Sequence, residues 1–204
     1  MDEANFVQEV REFVRRMVAR GDRSFAELSE EAVEHFLEEN EEADTAHVEK
    51  VCDAEIERAF AEHLASQTAW PDVTDCDRLD QAFETLNNGG IVAMHDFACC
   101  QNCGLAEIGA EVASTKEAGV DVVGFAFYHS QDTDSAAAGH GLYLTYGHVD
   151  GGEVNGVAVG RVIVSALQDA GLETSWDGSM GQRIAVRLSW QRRIAADDAK
   201  RDMS

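Results

Sequence analysis

The chain has 204 residues, with 39 acidic and 16 basic side chains that give a formal net charge of −23 at pH 7. Such a negative field repels phosphate backbones and anionic lipid, so we expect no nucleic-acid and no membrane partner, whereas a basic protein would be attracted. Five cysteines, an odd number, fit a reducing compartment better than a disulfide framework, and the first residues lack the basic segment of a signal peptide. We therefore expect a cytoplasmic protein.

The first part of the chain shows the hydrophobic period of α-helices. Apolar residues recur every three or four positions, as on one face of a helix: Phe6, Val10, Phe13 and Met17. The pattern predicts one helix over 4–20, a second that begins after Ser24 and a third over about 45–67. Pro71, the only proline, marks the expected end of a helical N-terminal region that covers residues 1–70.

Beyond Pro71 the period changes to a mixture of helical and alternating segments. After one more helix, they follow the order β-α-β-β-α-β, over residues 91–95, 106–118, 122–129, 142–148, 157–170 and 184–190. This is the order of the ferredoxin-like split βαβ arrangement. We therefore predict an α+β fold, in which a ferredoxin-like βαββαβ domain with a mainly antiparallel four-stranded sheet covers 71–193 and a polar tail covers 194–204.

The ferredoxin-like arrangement carries two further expectations about packing. Strands one and three should be central and parallel, and both helices should cover the same face of the sheet. Alternation on the strands then predicts a single core that contains Phe125, Phe127, Leu144, Ile163, Leu167, Val186 and Leu188.

The most unusual local feature is a cysteine cluster, Ala98-Cys99-Cys100-Gln101-Asn102-Cys103-Gly104, which follows a strand and opens a helix. Two thiolates at the spacing Cys-x-x-Cys can bind one tetrahedral ion, as in half of a zinc knuckle. A third thiolate and a histidine would complete such a zinc site. The predicted metal ligands are therefore Cys99, Cys100, Cys103 and His95, with His148 as an alternative fourth ligand.

Two other interpretations of the cluster stay open. A Cys-x-x-Cys pair between a strand and a helix is also the thioredoxin-like placement for thiol redox chemistry. Thioredoxin-like proteins need a cis-proline opposite the thiols, and no proline follows Pro71. Alternatively, the cysteines are small buried side chains that pack a turn, which is the interpretation we favour for Cys52 and Cys76.

A second polar segment follows the second strand and contains His129 and Asp132. Histidine and aspartate at a strand end can bind a metal or act as acid and base, although Asp132 can equally cap a short helix. The ferredoxin-like order places this segment at the opposite end of the sheet from the cysteines. It predicts that His129 lies far from them and that His148 lies nearer.

Several stretches of the chain resemble an uncharacterised bacterial family, a domain of unknown function. They span about 70–193, whereas 1–69 is a less specific match, so the resemblance implies a domain boundary near residue 70 and no mechanism. The stretches are Asp77-Arg78-Leu79-Asp80, Gly90-Ile91-Val92-Ala93, Phe97-Ala98-Cys99-Cys100, Gln131-Asp132-Thr133, Gly141-Leu142-Tyr143-Leu144, Trp176-Asp177-Gly178-Ser179 and Trp190-Gln191-Arg192-Arg193.

Two functions from different classes are compatible with these patterns. The chain lacks the common phosphate-loop, dinucleotide, nucleophile-elbow and zinc-protease motifs, which favours a non-enzymatic module that binds a protein or a small ligand. The alternative is a zinc-binding or thiol-redox protein that uses the cysteine cluster. No catalytic residue can be assigned from the sequence.

Overall fold

A computed structural model describes residues 3–39 and 42–200 of the chain. The chain divides into two compact units, one formed by Met1–Asp72 together with Gln191–Ser204 and the other by Val73–Trp190. We refer to them as the helical unit and the α/β unit. Among the helices of the described residues, not one has both the length and the apolar character that crossing a bilayer requires.

The helical unit contains α1 (Glu3–Arg20), α2 (Phe25–Glu39) and α3 (Thr45–Gln67). These helices confirm the predicted helical N-terminal region. Ser24 and Glu27 exchange hydrogen bonds at the start of α2, as the capping-box pattern predicts. The three helices bury one shared core, which includes Val10, Val14, Phe25, Phe36, Ile56, Phe60 and, from the C-terminal segment, Ile194.

The α/β unit contains four helices and five strands in the described residues. They are α4 (Asp75–Asn88), β1 (Ile91–Met94), α5 (Gln101–Glu117), β2 (Gly124–Phe127), α6 (Ser130–Ala137), β3 (Leu142–His148), α7 (Glu153–Asp169), β4 (Glu173–Ser175) and β5 (Ile184–Arg187). A mixed fold with a mostly antiparallel sheet was predicted, and it is confirmed. The sheet has five strands because the short β4 pairs antiparallel with β5.

The strand order shows that the ferredoxin-like arrangement is wrong. The order is β1-β2-β3-β5-β4, so β1 lies at an edge of the sheet, whereas the prediction placed it in the centre. β1 and β2 are parallel neighbours, with Ile91 opposite Gly124 and Met94 opposite Phe127. The α5 crossover thus returns the chain directly beside β1, and no other strand inserts between the two.

The single predicted core is also wrong, because helices cover both faces of the sheet. On β2, Ala126 belongs to the core shared with α4 and α7, whereas Phe127 points to the other face and contacts the core around Ile108 of α5. The larger core holds four of the predicted residues, with a fifth packed against it: Leu144, Ile163, Leu167, Val186 and Leu188. Phe125 and Phe127 belong to the smaller core on the α5 side.

Truncation of Phe127 tests this smaller core. The side chain is fully buried, so Phe127→Ala should lower the free energy of unfolding by about 3–5 kcal/mol. The measurement is chemical denaturation followed by circular dichroism. Val154, 83% exposed on α7, provides the control, and Val154→Ala should change stability by no more than about 0.5 kcal/mol. Equal midpoints for the two variants would contradict the assignment of Phe127 to a core.

Candidate metal centre

The parallel pairing of β1 and β2 places the carboxyl ends of both strands at the same end of the sheet. Two backbone hydrogen bonds join the segments that leave these strands. Phe97 N donates to the Tyr128 carbonyl at 2.8 Å, and Ser130 N donates to the Ala98 carbonyl at 3.1 Å. The loop that carries the cysteines is therefore held against the segment that carries His129.

The cysteine loop has an unusual backbone. Asp96 and Ala98 adopt positive φ angles of 45° and 62°, a region that costs side-chain-bearing residues about 1–3 kcal/mol each. Asp96 is held by the hydroxyl of Thr133, which donates to its carboxylate at 2.6 Å. Such conformations persist only where surrounding contacts compensate for their free-energy cost, and they are found mainly at functional sites.

The first turn of α5 is fixed against the sheet by a close contact. Cys100 is the N-cap residue, with extended backbone, and the helix begins at Gln101. A Cβ atom at Gly104 would lie only 2.4 Å from the ring of Phe127. A glycine at this position therefore lets the helix approach the strand, and the helix start that carries the thiols has a fixed position.

Three sulfur atoms come together at this helix start. Cys103 Sγ lies 3.4 Å from Cys99 Sγ and 3.5 Å from Cys100 Sγ. Cys99 is exposed and the other two are half-buried, whereas Cys52 and Cys76 are buried as predicted. Because Cys99 is exposed, the interpretation that all three thiols are buried in a packed turn does not hold. The turn at Ala98 brings Cys99 to Cys103.

The sulfur positions suit a metal ion. The ligand atoms of Cys99, Cys100 and Cys103 all lie within 4.8 Å of one another, and within residues 3–39 and 42–200 no other group of three potential ligands meets this distance. A tetrahedral zinc ion with Zn–S bonds of about 2.3 Å needs sulfurs about 3.8 Å apart. The observed separations differ from this value by a few tenths of an ångström, so the three cysteines can hold a metal ion.

His95, the predicted fourth ligand, lies outside the group of three sulfurs. Its Nδ1 is 3.1 Å from the Tyr128 hydroxyl, and its Nε2 is 3.7 Å from the Asp80 carboxylate. The ring also stacks on Phe83, with the centroids 4.3 Å apart. These contacts direct both ring nitrogens to other partners.

The thiols differ in how readily they lose a proton. The Cys103 backbone N–H and then the Cys103 side chain lower the pKa of Cys100, which is the effect expected at a helix N-terminus. The neighbouring Cys99 and Cys100 side chains raise the pKa of Cys103 to about 12. Cys100 is therefore the first of this pair to become a thiolate.

A pocket of about 530 Å³ adjoins the cluster. It brings together residues from the starts of α5 and α6 and from the loop before β5, namely Cys100, Gln101, Asn102, His129, Gln131, Asp132, Ser135 and Arg183. The prediction that the cysteine and histidine segments lie at opposite ends of the sheet is therefore wrong. The cause is the parallel pairing of β1 and β2, which the ferredoxin-like order excludes.

The expected approach of His148 to the cysteines is wrong for the same reason. His148 pairs with Gly124 at the start of β2, which is the opposite end of that strand. Its Nδ1 accepts a hydrogen bond from the backbone N–H of Asp150 at 3.0 Å. His129, not His148, is the histidine that shares a pocket with Cys100.

One wall of the pocket is a buried network around Asp132. Its carboxylate accepts two hydrogen bonds from Arg183, one from the backbone N–H of His129 at 3.2 Å, and lies 3.0 Å from His129 Nε2. Arg183 also donates to the Tyr143 carbonyl. Sequence reasoning missed Arg183, because it lies 51 residues after Asp132 in a loop with no recognisable motif.

His129 is a neutral imidazole at neutral pH. Burial lowers its pKa, and this effect outweighs the nearby Asp132 carboxylate, which raises it. The network therefore carries one positive charge on Arg183 and one negative charge on Asp132, which balance each other at the pocket wall.

The family model described as a domain of unknown function, DUF6891, matches residues 3–194. The chain belongs to this family. The resemblance to an uncharacterised domain family is thereby confirmed, and the matched region also includes residues 3–69. No curated protein and no solved structure matches the chain.

Alkylation kinetics distinguish the exposed thiols of this DUF6891 protein from the buried ones. In metal-free native protein at pH 7, iodoacetamide should modify Cys99 and Cys100 first, because Cys99 is exposed and the lowered pKa of Cys100 raises its thiolate fraction. Cys52, whose pKa burial raises to about 12, should react only after unfolding.

Peptide mass spectrometry would follow each site over time and across pH. The rate at Cys100 should reach its plateau at a lower pH than that of an ordinary thiol, since its pKa is lowered. Protection of all cysteines until the protein unfolds would contradict the observed exposure.

Proposed function

We propose that this protein binds one zinc ion through Cys99, Cys100 and Cys103. The observation that supports the proposal is the convergence of three sulfur atoms within 4.8 Å at the N-terminus of α5. Thiolate sulfur selects zinc, copper(I) or iron–sulfur clusters over magnesium and calcium. Zinc is the member of this set that single tetrahedral sites with cysteine ligands commonly bind.

A metal role accounts for the cluster better than a redox role does. A disulfide uses two sulfurs, whereas Cys103 lies at nearly equal distances from the other two. Three adjacent thiolates would repel one another. A divalent cation bound between them compensates for this repulsion, and the positive end of the α5 dipole also stabilises the negative charge. We propose the cytoplasm as the location, because a reducing compartment keeps the ligands as thiols.

Metal analysis tests the proposal directly. Protein purified without chelator should contain about one zinc ion per chain by inductively coupled plasma mass spectrometry. Cys100→Ser and Cys103→Ser should each lose the metal, because a hydroxyl replaces a thiolate ligand. His129→Ala should retain it, since the imidazole is not part of the group of sulfurs.

Cys76→Ala is the matched control, because this thiol is buried in the α/β unit and is not part of the group of three sulfurs. It should leave the zinc content unchanged. Wild-type protein that contains no zinc after reconstitution under reducing conditions would overturn the proposal.

A second candidate function concerns a groove on the helical unit. The groove lies between α2 and α3, has a volume of about 980 Å³, and is lined by Phe25, Ala26, Ser29, Glu30, Val33, Glu34, Leu37, Glu38, Glu49 and Asp53. Its lining combines apolar side chains with five carboxylates and contains no basic residue. An amphipathic helix with one apolar face and lysine or arginine on its flanks is complementary to such a surface.

We propose that this groove binds a basic helical segment of a partner protein. The apolar face of the segment would contact Val33 and Leu37, which are only partly buried in the helical unit. Its cations would lie near the surrounding carboxylates. The same acidic surface is unfavourable for nucleic acid.

A model peptide tests the groove. A peptide of about 14 residues, four helical turns with leucine on one face and lysine on the other, should bind the wild-type chain in calorimetry and bind less tightly as salt increases. The double variant Glu34→Lys and Glu38→Lys should weaken binding at least about tenfold.

The matched control is Glu9→Lys with Glu12→Lys on α1, which changes the net charge equally but outside the groove. It should retain most of the affinity. Equal losses in the two double variants would show that only the overall charge attracts the peptide, and the groove proposal would fail.

A further inference from the structure

We propose that the pocket beside the cysteine cluster binds a small anionic thiol, whose sulfur completes the coordination of the metal. This inference rests on the zinc binding proposed above and goes further, because it makes the centre open and not purely structural. Structural zinc sites are closed by four protein ligands, whereas open sites have three protein ligands and one exogenous ligand.

The first argument is the number of protein ligands. In the described parts of the chain the candidate group contains three sulfurs and no imidazole or carboxylate. A tetrahedral ion at this position therefore has one coordination site that a molecule from solvent can fill. Zinc binds thiolate sulfur readily, and a small thiol can provide it.

The second argument is the electrostatic character of the pocket. Both α5 and α6 begin at its wall, with Gln101 as the first residue of one helix and Ser130 as that of the other. The positive end of the α5 dipole therefore lies there, while the Asp132 carboxylate caps the start of α6 and balances the charge of Arg183. Although the chain as a whole is strongly acidic, this pocket is suited to an anionic group.

The third argument comes from unsatisfied polar atoms at the same wall. Among the described residues, His129 Nδ1 and Arg183 Nε are buried and have no hydrogen-bond partner. His129 is only 5% exposed, so bulk water does not compensate for the missing bond. Both residues line the pocket, where a bound ligand or an ordered water can complete these hydrogen bonds.

The chemistry of binding is a ligand exchange. The thiol loses its proton to solvent, its sulfur lone pair forms the bond to the metal, and the water molecule at the fourth position is released, so no oxidant or reductant is needed. The acidic group of the ligand then lies in the pocket near the two helix starts. The thiol and the acidic group should therefore both contribute to affinity.

Cobalt(II)-substituted protein allows this to be tested with defined probes. Titration with mercaptoacetate should change the visible cobalt spectrum in a saturable manner, while gel filtration shows that the cobalt stays bound. 2-Mercaptoethanol, which lacks the carboxylate, should bind about tenfold more weakly, and acetate, which lacks the thiol, should leave the spectrum unchanged.

A pocket-filling variant identifies where the ligand enters. Ser135 lines the pocket on α6 and is not a metal ligand, so Ser135→Phe should retain cobalt but weaken mercaptoacetate binding at least about tenfold. Ala138→Phe, at the exposed end of the same helix, is the control and should bind the probe as the wild type does.

The possible failures are distinguishable. If no cobalt binds, the proposed metal centre and this inference both fail. If cobalt binds but mercaptoacetate leaves the spectrum unchanged or removes the metal, the zinc proposal stands and the inference that an anionic thiol completes the coordination fails. If Ser135→Phe binds the probe as tightly as the wild type, the ligand does not occupy this pocket.

Discussion

The parallel hydrogen bonds between β1 and β2 determine which side chains meet in the α/β unit. They place the segments that follow the two strands at the same end of the sheet. The cysteine loop and the segment with His129 then lie side by side, joined by two backbone hydrogen bonds. In an antiparallel pair these segments would leave at opposite ends, and the pocket between them would not form.

Much of the secondary structure can be predicted from the sequence, because periodicity and capping are local properties. The three helices of the N-terminal region and the strands near residues 91, 124, 142 and 184 follow from the spacing of apolar residues. The position of the cysteines at a helix start follows in the same way. β4, with three residues, has too few positions to show a clear period.

The strand order could not be predicted, because it depends on contacts between distant parts of the chain. The same βαββαβ sequence of elements is compatible with more than one sheet order, and local patterns do not distinguish them. The wrong strand order also affected the predicted site, because it placed His129 far from Cys100. Arg183 was missed for another reason: an isolated arginine in a loop indicates no function until its partner, Asp132, is known.

Gly104 has a consequence for how metal and fold depend on each other. The helix turn that carries Cys103 is pressed against the ring of Phe127, which itself lies in the core of the sheet. An ion bound to the sulfurs would therefore cross-link the cysteine loop to the hydrophobic interior through a single rigid turn. With the proposed metal bound, metal binding and folding would be thermodynamically linked, so a chelator would lower the stability of the α/β unit.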